Sequence, residues 1–178
     1  MKPMSPTSKK RIVLVGTPNV GKSALFGQLT GTYVTVSNYP GTTVEVSRGA
    51  IPIDGASFEL YDTPGTNHLV AMSEDEAVTR DVLLTDTFDL VIQVGDAKNL
   101  TRSLLLTLQL LELGVPLVLV LNMADEARTR GITVDTHALG EALGIPVFLT
   151  AAIRQEGIEE LRAGIAEALK STKRAPLP

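Results

Sequence analysis

The chain has 178 residues, a formal net charge of −4 and no cysteine, and 44% of its residues are hydrophobic. That length and that apolar content suit one folded domain with a buried core and exclude a largely disordered chain. The absence of cysteine excludes disulfides and thiolate zinc sites, while the acidic balance and the 4% of aromatic residues disfavour a nucleic-acid-binding surface.

Apolar runs alternate with helix-like stretches along the chain. The apolar runs predict strands over residues 11–15, 44–52, 57–61, 90–94, 117–121 and 146–149. The stretches between them predict helices over residues 22–29, 74–84, 102–113, 136–143 and 158–169. Asp54-Gly55 is a hairpin turn signal, so the second and third strands should be antiparallel neighbours. The expected fold is α/β: a mostly parallel six-stranded sheet with one antiparallel strand and helices on both faces.

The stretch GTPNVGKS, residues 16–23, places two glycines, a lysine and a serine directly after the first predicted strand. This is the pattern of a phosphate-binding loop, because glycines let backbone N–H groups curl around a phosphate at a helix N-terminus. Lys22 is expected to reach the β- and γ-phosphates of a nucleotide, and the Ser23 hydroxyl is expected to bind Mg²⁺. The predicted contacts of this loop are Gly16, Asn19, Val20, Gly21, Lys22, Ser23 and Ala24.

Asn122-Met123-Ala124-Asp125 follows the strand predicted over 117–121, at the edge where open α/β sheets bind ligands. An ionised Asp125 only accepts hydrogen bonds, which matches the two adjacent donors of guanine and rejects the ring acceptor of adenine. Asn122 can tie this segment to the phosphate loop. Small residues after the last predicted strand would let a backbone N–H approach the guanine oxygen. The predicted base contacts are Asn122, Met123, Asp125, Thr150, Ala151 and Ala152.

Two further motifs point to a magnesium ion and a switch. Asp62-Thr63-Pro64-Gly65 ends the third predicted strand, where Asp62 can hold Mg²⁺ through water and the Gly65 N–H can reach the γ-phosphate. Thr43 precedes the second strand, where a hydroxyl can bind Mg²⁺ only while the γ-phosphate is present. Thr42 is the alternative for that role.

The segments around and between these motifs indicate which family of nucleotide-binding proteins the chain resembles. SNYPGTTVE, DTPGTNHL followed by SEDEAVTRDVLL, and LLLTLQLLELGVPLVLVLNMADEARTRGI are the most specific segments. From about residue 11 to residue 169, the chain resembles the cytosolic G domain of FeoB, the prokaryotic ferrous iron transporter, which has a Ras-like P-loop GTPase fold. The resemblance implies GTP hydrolysis coupled to Fe²⁺ uptake, with GTP or GDP and Mg²⁺ as ligands. It also implies activation by K⁺ bound through Asn19.

Two positions depart from related proteins. Thr66 lies where Ras-like enzymes carry glutamine, so backbone groups of the first switch are expected to position the attacking water, and turnover should be slow. Tyr39 lies where the family usually has tryptophan. The catalytic residues that the resemblance implies are Lys22, Thr43, Gly65 and Asn19.

The family normally continues into a helical domain and a polytopic membrane domain, so the chain is either a fragment or a stand-alone product. We expect a flexible tail over residues 1–10, the GTP-binding G domain over 11–170, and a tail or linker over 171–178. The expected partners are guanine nucleotide and a membrane transporter domain in cis or in trans, without nucleic acid and with a homodimer left open. The expected location is the cytoplasm, or the cytoplasmic side of the inner membrane.

Two other functions remain open at this point: a ribosome- or tRNA-modification-associated GTPase, and a nucleotide-dependent interaction module with negligible turnover. Two surface features are also predicted. One is a face of the helix over 102–113 that could meet a partner, formed by Leu106, Leu110 and Leu113. The other is a solvated charged face, formed by Glu74, Asp75, Glu76, Arg80 and Asp81. Both histidines, His68 and His137, are expected at the surface.

Overall fold

The computed structural model describes residues 10–31, 34–85 and 88–171. Its strands are β1 (Arg11–Gly16), β2 (Val34–Asn38), β3 (Glu45–Ile53), β4 (Ala56–Asp62), β5 (Leu90–Asp96), β6 (Leu117–Asn122) and β7 (Val147–Leu149). Its helices are α1 (Lys22–Leu29), α2 (Glu74–Thr85), α3 (Leu100–Glu112), α4 (Ala124–Thr129), α5 (Thr136–Leu143) and α6 (Ile158–Ser171). The predicted tails fall mostly outside the described residues, at 1–9 and 172–178.

These strands form one seven-stranded sheet in the order β2-β3-β4-β1-β5-β6-β7. Only β3 runs against the others, because it pairs antiparallel with both β2 and β4, while β1 pairs parallel with β4 and β5. The predicted hairpin turn is confirmed, since Asp54 and Gly55 join β3 to β4 with positive φ angles of 49° and 75°.

The prediction of six strands was wrong by one. The additional strand is β2, which lies at the edge of the sheet. Four of its five residues are exposed, so it has no buried apolar run of the kind that marks the central strands. The α/β class, the single antiparallel strand and the helices on both faces are confirmed.

Side chains that alternate along β1 build the two layers of the core. Ile12 and Leu14 pack in one cluster with apolar residues of α1 and α6. Val13 and Val15 point the other way and pack in a second cluster with residues of α2 and α3. The central strand β1 is therefore apolar on both faces.

The prediction that Leu106, Leu110 and Leu113 of α3 form a partner-binding face was wrong. Leu106 and Leu110 are fully buried in the core cluster against β1 and β5, whereas Leu105 and Leu108 are 60% and 52% exposed. A helical stripe indicates which residues share a face, but only the position of the sheet decides which face is covered. No helix within residues 10–31, 34–85 and 88–171 has the length and apolar character needed to span a bilayer.

Candidate functional site

The parallel strands bring the predicted motifs to one edge of the sheet. Strands β1, β4, β5, β6 and β7 all run in the same direction, so their carboxyl ends meet at that edge. The segments that follow them there contain residues 16–23, 62–66, 122–125 and 150–152. Motifs more than 100 residues apart in sequence are therefore neighbours in space.

The loop between β1 and α1 has the backbone form that its glycines predict. Asn19 and Gly21 have positive φ angles of 64° and 79°, and α1 begins at Lys22. A Cβ atom at Gly16 would lie 2.4 Å from the Val94 carbonyl oxygen, so no larger residue fits there without displacing β5. The first turn of a helix leaves backbone N–H groups without intrahelical acceptors, and these can bind an anion.

Lys22, the first residue of α1, contacts polar groups at the end of β4. Its ammonium group donates to the Asp62 carboxylate and to the Thr63 carbonyl oxygen. The Ser23 hydroxyl donates to the other Asp62 oxygen at 3.4 Å. The side chains of Lys22 and Asp62 are each 11% exposed, so the pair is largely withdrawn from solvent.

A cavity of about 520 Å³ opens beside this pair. Its wall includes Lys22, Ser23, Thr43, Asp62 and Gly65. The hydroxyl and carboxylate oxygens of this set are the hard donors that Mg²⁺ prefers, so the residues present fit that ion.

The two candidate switch threonines differ in their contacts. Thr43 is exposed and lines the cavity. The Thr42 hydroxyl instead donates to the Tyr39 carbonyl oxygen at 3.0 Å and accepts from the Val44 N–H at 3.2 Å. Thr42 is therefore engaged in a local turn, while Thr43 faces the same space as Ser23 and Asp62.

Asn122 joins three segments at the opposite end of the site. It is 3% exposed, and its amide nitrogen donates to the Val20 carbonyl oxygen in the phosphate loop at 2.9 Å. Its amide oxygen accepts from the Thr150 hydroxyl and from the Ala152 N–H, both at 3.0 Å. This is the tie to the phosphate loop that the sequence predicted, with a second tie to the loop after β7 that it did not.

Asp125 lies in the first turn of α4, next to that junction. Its carboxylate accepts a hydrogen bond from Arg154 Nε at 2.8 Å. Burial alone would raise the pKa of Asp125, but the hydrogen bond from Arg154 and the backbone N–H groups of Glu126 and Asp125 outweigh it and lower that pKa. The carboxylate is therefore ionised at neutral pH and acts only as an acceptor.

Sequence reasoning missed Arg154. Its only sequence signal is a basic residue a few positions after Thr150, in a loop already expected to approach the base. A second ion pair, between Arg128 and Glu156, joins α4 to the same loop. That hydrogen bond, together with the charge of Glu156, raises the pKa of Arg128.

The segment after Gly65 is held by buried polar contacts. Thr66 is 1% exposed, and its N–H donates to the Gly16 carbonyl oxygen at 2.9 Å while its hydroxyl donates to the His68 carbonyl oxygen at 2.6 Å. His68 is half-buried and His137 is exposed.

Glu76 was also predicted to be solvated, and that prediction was wrong. It is 9% exposed, and its carboxylate accepts from the Met72 N–H at 2.9 Å and from the Asn67 N–H at 3.4 Å. The hydrogen bond from Met72, followed by that from Asn67, outweighs burial and lowers the pKa of Glu76. A single carboxylate therefore holds both ends of the segment between Thr66 and α2.

Replacing Glu76 by glutamine should lower the free energy of unfolding by about 1–2 kcal/mol at pH 7, because a charged acceptor of two backbone N–H groups is lost. The folded-state pKa of Glu76 is depressed, so its stabilisation is present above the ordinary glutamate pKa and is lost as the pH falls. Urea denaturation of both proteins should show a difference that is full at pH 7 and smaller at about pH 3, below the ordinary glutamate pKa of about 4.3. Glu74→Gln, at an exposed position in the same helix turn, is the control; an equal loss at both pH values would contradict the prediction.

Comparison with known proteins identifies relatives of this chain. Residues 10–165 match the family model described as ferrous iron transport protein B. The Fe(2+) transporter FeoB of Synechocystis sp. is 36% identical over 170 residues, which cover 96% of this chain and 28% of that protein. The chain thus spans less than a third of the length of that relative.

Solved structures agree with the sequence match. The cytosolic domain of the T. maritima FeoB iron transporter has been solved in a GDP form, with a TM-score of 0.89 and 40% identity over 96% of this chain and 68% of that chain. Its GMPPNP form has a TM-score of 0.87 and 43% identity, and covers 95% of this chain and 68% of that one. The FeoB G-domain from Methanococcus jannaschii has a TM-score of 0.81 and 39% identity over 92% of this chain and 99% of that domain. The chain therefore belongs to the ferrous iron transport protein B (FeoB) family and corresponds to its G domain.

Proposed function

We propose that this chain binds guanine nucleotides at the carboxyl edge of the sheet and hydrolyses GTP to GDP and phosphate. The observation that carries the proposal is the Asn122 junction, which ties the segment leading into Asp125 to the phosphate loop and to the loop after β7. A phosphate cradle and a guanine-reading acceptor are thereby fixed at one edge. Membership of the FeoB family, with relatives solved in GDP and GMPPNP forms, supports the same assignment.

Different parts of the site would bind the phosphates and the base of the nucleotide. Backbone N–H groups of the phosphate loop and the first turn of α1 bind the phosphates, and the Lys22 ammonium supplies positive charge at the β- and γ-phosphates. Asp125 reads the base edge, and the N–H groups of the loop after β7 approach the guanine oxygen. The proposed nucleotide contacts are Gly16, Asn19, Val20, Gly21, Lys22, Ser23, Ala24, Asn122, Met123, Asp125, Thr150, Ala151 and Ala152.

Mg²⁺ would be held by Ser23 and Thr43, with Asp62 acting through water. When bound, the ion offsets the negative charge of the β- and γ-phosphates. The contacts of Thr42 with Tyr39 and Val44 favour Thr43 for this role, because the Thr42 hydroxyl is already used in its own turn.

Hydrolysis requires a water placed in line with the γ-phosphate. Thr66 is poorly suited to orient it, because its hydroxyl is buried and donates to the His68 carbonyl oxygen. Backbone groups near Thr43 and the Gly65 N–H remain for that task, which favours slow intrinsic turnover. K⁺ held by the exposed Asn19 would add positive charge at the phosphates, as an arginine finger does.

The test is the rate of GTP hydrolysis in KCl and in NaCl at equal ionic strength, with Mg²⁺ present and ATP as the comparison substrate. We expect turnover of GTP and not of ATP, with stimulation by K⁺ that is lost in Asn19→Ala. Equal rates in the two salts would contradict the role of Asn19 but leave GTP hydrolysis intact. No hydrolysis of GTP, even in a single-turnover experiment, would contradict the enzymatic proposal and favour a nucleotide-dependent interaction module.

The wider role follows from the family. We propose that the chain acts as the nucleotide-operated part of a ferrous iron transporter, joined to a membrane domain in cis or in trans and facing the cytoplasm. The proposal of a homodimer stays a prediction that sedimentation analysis with GDP and with a GTP analogue can test.

A further inference from the structure

The Asp125 carboxylate, proposed above to read guanine, already has a partner within the chain. Arg154 donates to its Oδ2 atom through Nε at 2.8 Å. We infer that Arg154 competes with the guanine base for the Asp125 carboxylate. Guanine-nucleotide binding is therefore weaker than it would be without this arginine, because the base has to displace it. This inference rests on the proposed guanine binding.

The chemical basis is the likeness of the two donors. The edge of guanine that faces a carboxylate consists of a ring N–H, a carbon and an exocyclic amino group, which together are a guanidine fragment. The arginine side chain ends in a guanidinium group with the same arrangement of N–H donors on one carbon. Both groups match a carboxylate through two parallel hydrogen bonds. Arg154 therefore carries the same type of donor that the base must present, and in the structure it uses one of them, Nε, on Asp125 Oδ2.

Exposure makes the arginine displaceable. The Arg154 side chain is 64% exposed and that of Asp125 is 23% exposed. A guanidinium group that is mostly in water loses little when its ion pair breaks, because water replaces the lost hydrogen bond. The pair can therefore open at modest cost when a nucleotide arrives.

The loop that carries Arg154 is held in place by other contacts. Ala151 and Glu156 exchange backbone hydrogen bonds of 3.1 and 3.2 Å. The Ala152 N–H donates to Asn122, and Glu156 pairs with Arg128. Removing the Arg154 side chain should leave this loop folded, so its effect on binding can be read separately from an effect on structure.

The test compares GDP dissociation constants of the full chain and its Arg154→Ala variant, measured by calorimetry at low salt. An exposed ion pair of this kind corresponds to a change in affinity of about two- to five-fold. We expect Arg154→Ala to bind GDP more tightly by that factor, and we expect the advantage to disappear near 1 M NaCl because salt screens the pair. The matched control is Arg130→Ala, which removes an exposed arginine at the C-terminal end of α4.

Unchanged or weaker GDP binding by Arg154→Ala would overturn the inference, since it would mean that the arginine either has no effect or supports the base site.

A second comparison uses xanthosine diphosphate in an Asp125→Asn background, where the carboxylate that pairs with Arg154 is absent. Adding Arg154→Ala there should change the affinity by less than about two-fold, which is the limit within which the effects of uncoupled sites add. An equal gain in both backgrounds would place the effect elsewhere and also overturn the inference. Failure of the wild-type chain to bind GDP would instead overturn the proposed function and this inference with it.

Discussion

Replacing Lys22 by alanine should lower the affinity for GTP about 100-fold or more, since two charge-assisted hydrogen bonds to phosphate oxygens are lost. The loss should be larger for GTP than for GDP, because the ammonium group is expected to contact the γ-phosphate as well as the β-phosphate. Competition titration against a fluorescent guanine nucleotide measures both constants.

The same substitution affects the protein without nucleotide. Lys22 and Asp62 form a largely buried ion pair, so alanine at position 22 leaves a carboxylate without its partner. Thermal unfolding without nucleotide therefore has to accompany the titration, so that lost binding is not confused with lost folding. Lys170→Ala is the control, because Lys170 is exposed and pairs with Asp54 in the β3–β4 turn, at the edge opposite the site. Wild-type GTP affinity in a folded Lys22→Ala protein would remove the basis for the proposed site.

The parts of the site that the sequence predicted are those with local causes. Gly16 and Gly21 mark the phosphate loop because their backbone conformation and close neighbours admit no side chain. The segment around Asn122 was found because it directly follows a continuous apolar run, and such runs mark strands buried on both faces. Once the strands are known to be parallel, their carboxyl ends must meet at one edge.

The parts that it missed depend on contacts between distant residues. Glu76 looked solvated because its neighbours in sequence are charged, yet it accepts hydrogen bonds from a loop that folds back over α2. Strand β2 lacks an apolar run because it lies at the sheet edge. Arg154 and Asp125 are 29 positions apart, so their pairing exists only after β6, α4 and β7 have packed.

Asparagine in place of Asp125 should lower the affinity for GDP about 100-fold, because the ring N–H and the amino group of guanine lose their charged acceptor. The same change should raise the affinity for xanthosine diphosphate, whose second carbonyl oxygen can accept a hydrogen bond from the new amide. The reversal of preference is the informative result, since a general disturbance of the site would weaken both nucleotides. Calorimetric titration with GDP, xanthosine diphosphate and ADP gives the three constants.

Glu126→Gln is the matched control for this experiment. Glu126 is the next residue in the first turn of α4, and its carboxylate pairs with Lys98 at 2.6 Å, not with Arg154. It removes one negative charge from the same helix end, so it reproduces any general electrostatic effect on nucleotide binding. We expect it to keep the preference for guanine and to change GDP affinity by less than about three-fold, as exposed charges do. If Asp125→Asn and Glu126→Gln behaved alike, base selection would have to lie outside the carboxylate of Asp125. If only Asp125→Asn exchanges guanine for xanthine, the choice of base rests on that carboxylate.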